Sequence, residues 1–210
     1  MSSSLEINII ELINSLQIPM VLIETTDSKH SLPSVIIDNE KAAYDGVQYL
    51  INNKNKRIAY IGTHEKTLNA GVLRYKGYKK ALKDNGIELD ICIVNWGGIK
   101  AKDGLDGMNN ILKSSKVDAV FCSSDEIAMG AINALRENNI SVPKDVDVMG
   151  FDNIYSASVF YPKLTTISQP KYDMGSVGMR MLIKIIGGNP LETSNYILDH
   201  KIIERDSCKK

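Results

Sequence analysis

Between Arg57 and Phe151 one pattern dominates: apolar runs of strand length (57–61, 91–94, 119–122 and 146–151) separated by longer amphipathic stretches. The stretches read as helices over 73–85, closed by Gly86, over 103–113, and over 125–138, with Asn139 as a C-terminal signal and Pro143 before the next strand. Parallel strands need such crossovers, whereas a hairpin would need only a two-residue turn. The runs are apolar without alternation, as expected for strands buried on both faces. The pattern therefore predicts an α/β fold with parallel sheets flanked by helices.

The flanking segments extend the same alternation. Leu5, Ile9, Leu12, Ile13 and Leu16 recur at helical spacing behind Ser4 as N-cap, and Pro19 opens a strand over 20–24. A strand over 35–37 precedes a helix over 40–51, which places Ala43, Val47, Leu50 and Ile51 on one face and ends at Asn52-Asn53-Lys54-Asn55. Beyond the repeat come a short strand over 164–168, a helix over 172–186 stopped by Gly187-Gly188, and a late strand pair over 196–203.

A chain of 210 residues can bury a substantial core, as one large domain or as two lobes. Its 25 basic side chains are matched by 25 acidic ones, which gives no pull toward a polyanion, so DNA binding by these residues is not expected. Three widely spaced cysteines, Cys92, Cys122 and Cys208, form neither a disulfide framework nor a CxxC motif, which favours reduced thiols. The first residues lack a basic and apolar signal pattern, and apolar runs are of strand length only. A cytoplasmic protein with no membrane segment is the expectation.

In open α/β sheets, ligands collect outside the carboxyl ends of the strands. Those ends carry Gly62-Thr63-His64, Asn95-Trp96-Gly97-Gly98, Ser123-Ser124-Asp125 and Asp152-Asn153, with Arg74 in the helix after the first. Carboxylates accept from vicinal hydroxyls, an arginine fork donates two bonds and an aromatic ring stacks, so the set suits a small polar ligand. Each residue also has a structural reading: Ser124 and Asp125 as helix caps, Asp152 as an Asx-turn, Arg74 as a solvated helix residue, Trp96 as core packing. His30, His64 and His200 lack metal-ligand spacing, GxSxG, HExxH and P-loop patterns are missing, and Gly104-Leu105-Asp106-Gly107 falls inside a helix. No enzyme, cofactor or metal is expected.

Four segments in order resemble the effector-binding domain of the LacI/GalR family of bacterial transcription regulators: Arg74-Tyr75-Lys76-Gly77-Tyr78, Ser124-Asp125-Glu126-Ile127-Ala128-Met129-Gly130, Gly150-Phe151-Asp152-Asn153, and Leu164-Thr165-Thr166-Ile167 with Gln169-Pro170. The resemblance implies a two-lobed periplasmic-binding-protein-like domain with a small-molecule effector, a sugar or sugar derivative, between the lobes. Arg74, Asp125 and Asp152 fall on effector-contacting positions, and Ser124 stands where sugar-responsive members often have asparagine. The ring-stacking position, five residues before Gly104, is Ile99, and Trp96 lies three residues earlier as a substitute.

The resemblance also divides the chain, with 1–54 and 164–190 in the first lobe and 55–163 and 191–208 in the second. It puts a homodimer surface at Val159 and Phe160. Family members carry a helix-turn-helix and the opening strands of the first lobe ahead of the segment matched here, so a truncated first lobe, less ordered than the second, is expected, with DNA reached only through that missing region. Tyr172 and Arg180, eight apart on one helix, match the spacing with which the catabolite-control branch contacts a phosphorylated carrier protein. A solute-binding protein of the same architecture is the other reading.

Overall fold

Residues 12, 15–26, 32–63 and 69–209 are described by the computed structural model. Strand alternation organises the larger part. In β3 (Ile58–Thr63), Ile58 and Tyr60 point into one core while Ala59 and Ile61 point into another. The strands β5 (Ala119–Cys122) and β6 (Asp147–Asp152) repeat this, with Phe121, Met149 and Phe151 on the first face and Val120, Cys122 and Val148 on the second. These strands are fully buried along almost their whole length, so helices must cover both faces.

Helices α1 (Asn39–Asn52) and α2 (Asn69–Asp84) cover the first face, and α3 (Ala101–Leu112) and α4 (Asp125–Glu137) cover the second. Capping fixes where several of them begin. The Asp38 side chain accepts from Lys41 N at 2.9 Å, Lys100 N donates to Asp103 Oδ2 at 2.9 Å, and Ser124 Oγ accepts from Ile127 N at 3.3 Å. Positive φ at Gly86 and Asn139 turns the chain out of α2 and α4. Two close approaches depend on glycine: a Cβ on Gly46 would lie 2.7 Å from Ile167 Cδ1, and one on Gly77 would lie 2.1 Å from Glu40 O. They hold α1 against the sheet and α2 against α1.

The order in the larger sheet is β4-β3-β5-β6-β7-β9, where β4 is Val94–Gly97, β7 is Thr165–Ser168 and β9 is Lys201–Ile203. Only its β7–β9 pair is antiparallel. A short helix α5 (Tyr155–Val159) follows β6. A second sheet, all parallel, joins β1 (Leu22–Ile23), β2 (Ser34–Ile37) and β8 (Asn195–Leu198), and α6 (Lys171–Ile186) packs on it. No helix among the described residues is long and apolar enough to cross a membrane.

Several expectations are corrected. The run at 91–94 opens as a 3-10 turn, Ile91–Ile93, because Asp90 caps Cys92 N at 2.9 Å, and the strand starts only at Val94. The late strands do not pair with each other: β8 joins β2, with Ser34 Oγ donating to Asn195 Oδ1 at 2.7 Å, and β9 joins β7. Three elements also cross the expected lobe boundaries, since α1 and β7 belong with the larger sheet and β8 with the smaller. Alternation along a strand shows which residues it buries but not which sheet it joins. The expected strand over 20–24 shortens to Leu22–Ile23, with Glu24 at φ 64°. Of the expected first helix, Leu5, Ile9 and Ile13 lie outside the described residues.

Among the described residues the chain thus passes between sheets three times: from β2 to α1 at Asp38-Asn39, from β7 to α6 at Gln169-Pro170, and from β8 to β9 at Asp199-His200.

Candidate functional site

Strand β6 ends in a corner that few side chains adopt: Asp152 has φ 105° and Asn153 φ 51°. Asparagine tolerates the left-handed region, but Asp152 lies outside it, at a cost of about 1–3 kcal/mol. The corner turns the Asp152 carboxylate outward, 26% exposed on the side chain, where Gln169 Nε2 donates to its Oδ1 at 2.8 Å. Gln169 lies on the second crossing.

Arg74 sits behind it, with 11% of its side chain exposed, NH1 3.4 Å from Asp152 Oδ1. Its Nε donates to Asn39 Oδ1 at 2.9 Å and NH1 donates to Ser123 O at 2.6 Å, while Cζ lies 3.6 Å from the centroid of the Phe151 ring. Asn39 lies on the first crossing. One buried guanidinium and one half-exposed carboxylate therefore tie together the ends of β5 and β6, helix α2 and two of the three links between sheets. At the third link, His200 Nε2 is 3.0 Å from Asp45 Oδ2.

A cleft of about 330 Å³ opens beside this cluster, lined by Ile23 and Glu24 from the smaller sheet, Asp152 and Ile154 beyond β6, and Lys171 and Met174 from α6. It has a carboxylate on each wall and one ammonium, with apolar surface between, a lining suited to a ligand rich in hydroxyls.

The other expected site residues divide. Asp125 is fully buried, with Thr166 Oγ1 donating to one oxygen at 2.5 Å and Ile154 N to the other at 2.8 Å, so its carboxyl braces the cleft wall from behind rather than facing a ligand. Burial pushes its pKa up to about 7, against the pull of those two hydrogen bonds. Ser124 caps α4. Trp96 packs in an aromatic group, its ring 4.6 Å from that of Tyr75 and 5.6 Å from that of Tyr60, which joins it to the core beside Arg74. Ile99 is exposed on the bend before α3. His64 lies outside the described residues.

Away from the cleft, Val159 is 62% exposed at the end of α5 and Phe160 is half-buried, with exposed Tyr155 and Tyr161 nearby in the chain. Tyr172, 88% exposed, and Arg180 both reach solvent from α6.

Asn39, Phe151 and Gln169 complete the cluster and were not among the expected ligand residues. A signal for Asn39 exists in the chain: Ile36-Ile37-Asp38-Asn39 repeats the strand-then-Asp-Asn arrangement of Gly150-Phe151-Asp152-Asn153. Both pairs close parallel strands, and both asparagines begin a departure from the sheet.

Residues 47–208 match the model of the periplasmic binding protein-like domain. Over 212 aligned residues the chain is 62% identical to the HTH-type transcriptional regulator RegA of Clostridium acetobutylicum, covering all of this chain and 64% of that protein. The chain is an effector-type domain of the LacI family. Among solved structures, the transcription regulator CcpA of Lactococcus lactis superposes with a TM-score of 0.91 at 33% identity, covering 99% of this chain and 76% of that one. A complex of the transcriptional regulator CelR with cellobiose gives 0.87 at 30%, covering 94% and 61%. The LacI-family domain described here thus spans less than two thirds of the length of RegA, a relative it matches along its whole own length.

Proposed function

We propose that this LacI-family domain senses a small polyhydroxylated molecule, a sugar or sugar derivative, in the cleft beside Asp152, and that binding biases the relative orientation of the two sheets within a dimeric cytoplasmic transcription regulator. One observation carries this reading: the Arg74–Asp152 pair is hydrogen-bonded to Asn39 and Gln169, which lie on two of the chain crossings. A ligand that takes over a hydrogen bond at Asp152 competes with Gln169 and so changes a contact at the link between sheets. A ligand shifts such an equilibrium only by its differential affinity for the two arrangements. The CelR structure, bound to cellobiose, supports a sugar as the ligand class. Val159 and the neighbouring Tyr155 and Tyr161 offer the apolar surface for the dimer, and DNA would be reached through a separate helix-turn-helix region.

The test is a thermal-shift screen of sugars, sugar phosphates and nucleobases against the whole chain. A ligand of the cleft raises Tm progressively with concentration, as mass action requires. Its affinity falls at least tenfold in Asp152→Ala and in Arg74→Ala. A hit that keeps its affinity in both variants binds elsewhere and removes this reading.

A second reading, a phosphorylated carrier protein as co-effector, draws on the exposure of Tyr172 and Arg180 on one helix and on the likeness to CcpA. Capture of the phosphorylated carrier by the wild-type chain, lost in Arg180→Ala, supports it, and failure to capture removes it. A solute-binding protein remains distinguishable by cell fractionation, which would find it outside the cytoplasm.

A further inference from the structure

We propose that Arg205 is a positioning residue for the cleft: it acts through Asn153 to hold the corner that aims the Asp152 carboxylate. The proposal rests on the reading of Asp152 as the ligand-facing carboxylate.

Arg205 follows β9 in the segment that runs back across β7 and β6. That segment is already fastened without the guanidinium. Arg205 N donates to Thr165 Oγ1 at 2.9 Å, Asp206 N to Lys163 O at 2.9 Å, Thr165 N to Ser207 Oγ at 2.8 Å, and Ser207 Oγ to Val148 O at 2.6 Å. The guanidinium makes different contacts: NH1 donates to Leu164 O at 2.7 Å and NH2 to Asn153 Oδ1 at 2.7 Å. Only the second of these reaches the corner.

Asn153 is fixed on its other sides as well. Its Nδ2 donates to Ser168 Oγ at 3.1 Å, and its backbone N–H points to Thr166 Oγ1 at 3.4 Å, the same hydroxyl that donates to Asp125. The arginine therefore also sets which way the amide faces, with oxygen toward Arg205 and nitrogen toward Ser168. Two consecutive residues at positive φ, 105° and 51°, persist only if the surroundings hold them. Around Asn153 that holding consists of these side-chain bonds together with Lys171 Nζ, which donates to the Asn153 backbone O at 3.4 Å; Arg205 supplies the shorter charged bond and the one made to the side chain. A planar fork spans Leu164 O and Asn153 Oδ1 at once, whereas a lysine ammonium on a flexible stem offers no such fixed geometry. The consequence reaches Arg74, which faces Asp152 across 3.4 Å.

The experiment compares the Arg74 Nε–Hε cross-peak in ¹H–¹⁵N spectra of the whole chain, wild type against Arg205→Ala, Arg205→Lys and Asn153→Ala. The cross-peak is expected to move or broaden in all three, together with the Asp152 amide, while the amides of Val120, Phe121 and Cys122 stay in place. An Arg74 cross-peak at its wild-type position in folded Arg205→Ala overturns the proposal, and so does full restoration by lysine. Equal displacement of the Val120 to Cys122 amides shows a merely structural staple and overturns it too. Should Arg205→Ala not fold, Arg205→Lys decides, because it leaves Asn153 and its bond to Ser168 in place: a displaced cross-peak supports the proposal and an unmoved one ends it. The readout needs no ligand. A failed ligand screen thus counts against the sensing function, and an unmoved Arg74 cross-peak counts against the role of Arg205.

Discussion

The two sheets of this molecule follow one construction rule to different degrees. The six-stranded sheet has helices on both faces, and its central strands are buried almost throughout. The three-stranded sheet has α6 on it, and among the described residues Ile23 is 47% and Ile197 64% exposed, with Met179, Ile183 and Ile186 of α6 also open to solvent. Parallel strands stay stable when both faces are covered, so the larger sheet is expected to be the more stable body, while β2 adds Val35 and Ile37 to the core the two sheets share. The cleft lies between them, with Ile23 and Glu24 on one side and Asp152 and Ile154 on the other.

Truncating the cores should expose this contrast most strongly. Phe121→Ala, in the middle of the larger sheet, is expected to cost about 3–5 kcal/mol of unfolding free energy, measured by urea denaturation. A loss below about 1 kcal/mol would mean that the larger sheet is not the stable body. Next in size is Gly77→Ala, whose new Cβ would meet the Glu40 carbonyl and force α2 off α1. A cost of about 1–3 kcal/mol is expected from such overpacking, and no change would show that the two helices are loosely joined.

Much of the larger sheet was legible in the sequence because burial on both faces leaves an unbroken apolar run, as at Ala119–Cys122, and the intervening amphipathic stretches are long enough for only one kind of connection. The end of β6 was legible for the same reason, since Asp152 and Asn153 interrupt an apolar strand. What could not be read was partnership. Nothing in the alternation of 195–198 specifies β2 rather than β9 as its neighbour, and the small residues acquire meaning only against their partners, Gly46 against Met149 and Ile167, and Ala43 against Gly77 of α2. Asp125 shows the same limit within the site: its place before α4 fits a cap or a ligand contact, and only the burial of both oxygens against Thr166 and Ile154 shows it bracing the wall.

That brace gives the stability of the chain a pH signature. Folding raises the Asp125 pKa from 3.8 to about 7, so the native state keeps a proton that the unfolded chain releases. The contribution of this group to stability is therefore greatest below about pH 4 and declines as pH rises to about 7, with a slope of up to about 1.4 kcal/mol per pH unit. The stability of wild type relative to Asp125→Asn should fall across that window, measured by urea unfolding. A difference independent of pH would show that Asp125 is charged throughout.

The smallest effect is expected on the other side of the comparison. Ile197→Ala removes a side chain that is already mostly in solvent and should change stability by less than about 0.5 kcal/mol in the same denaturation assay. A loss approaching that of Phe121→Ala would mean that the exposed face of the smaller sheet is covered in solution, for example by a second copy of the chain.

A ligand beside Asp152 is expected to bias how the two sheets sit relative to each other. Spin labels at Asn110→Cys on α3 and Lys184→Cys on α6, in a Cys92→Ser background that removes the exposed native thiol, report the separation of the two bodies by double electron–electron resonance. With a saturating hit from the screen, the expected distance distribution is shifted and narrowed relative to the free chain, with no such change when Asp152 is replaced by alanine. An identical distribution with and without a ligand that demonstrably binds the wild-type cleft would contradict it.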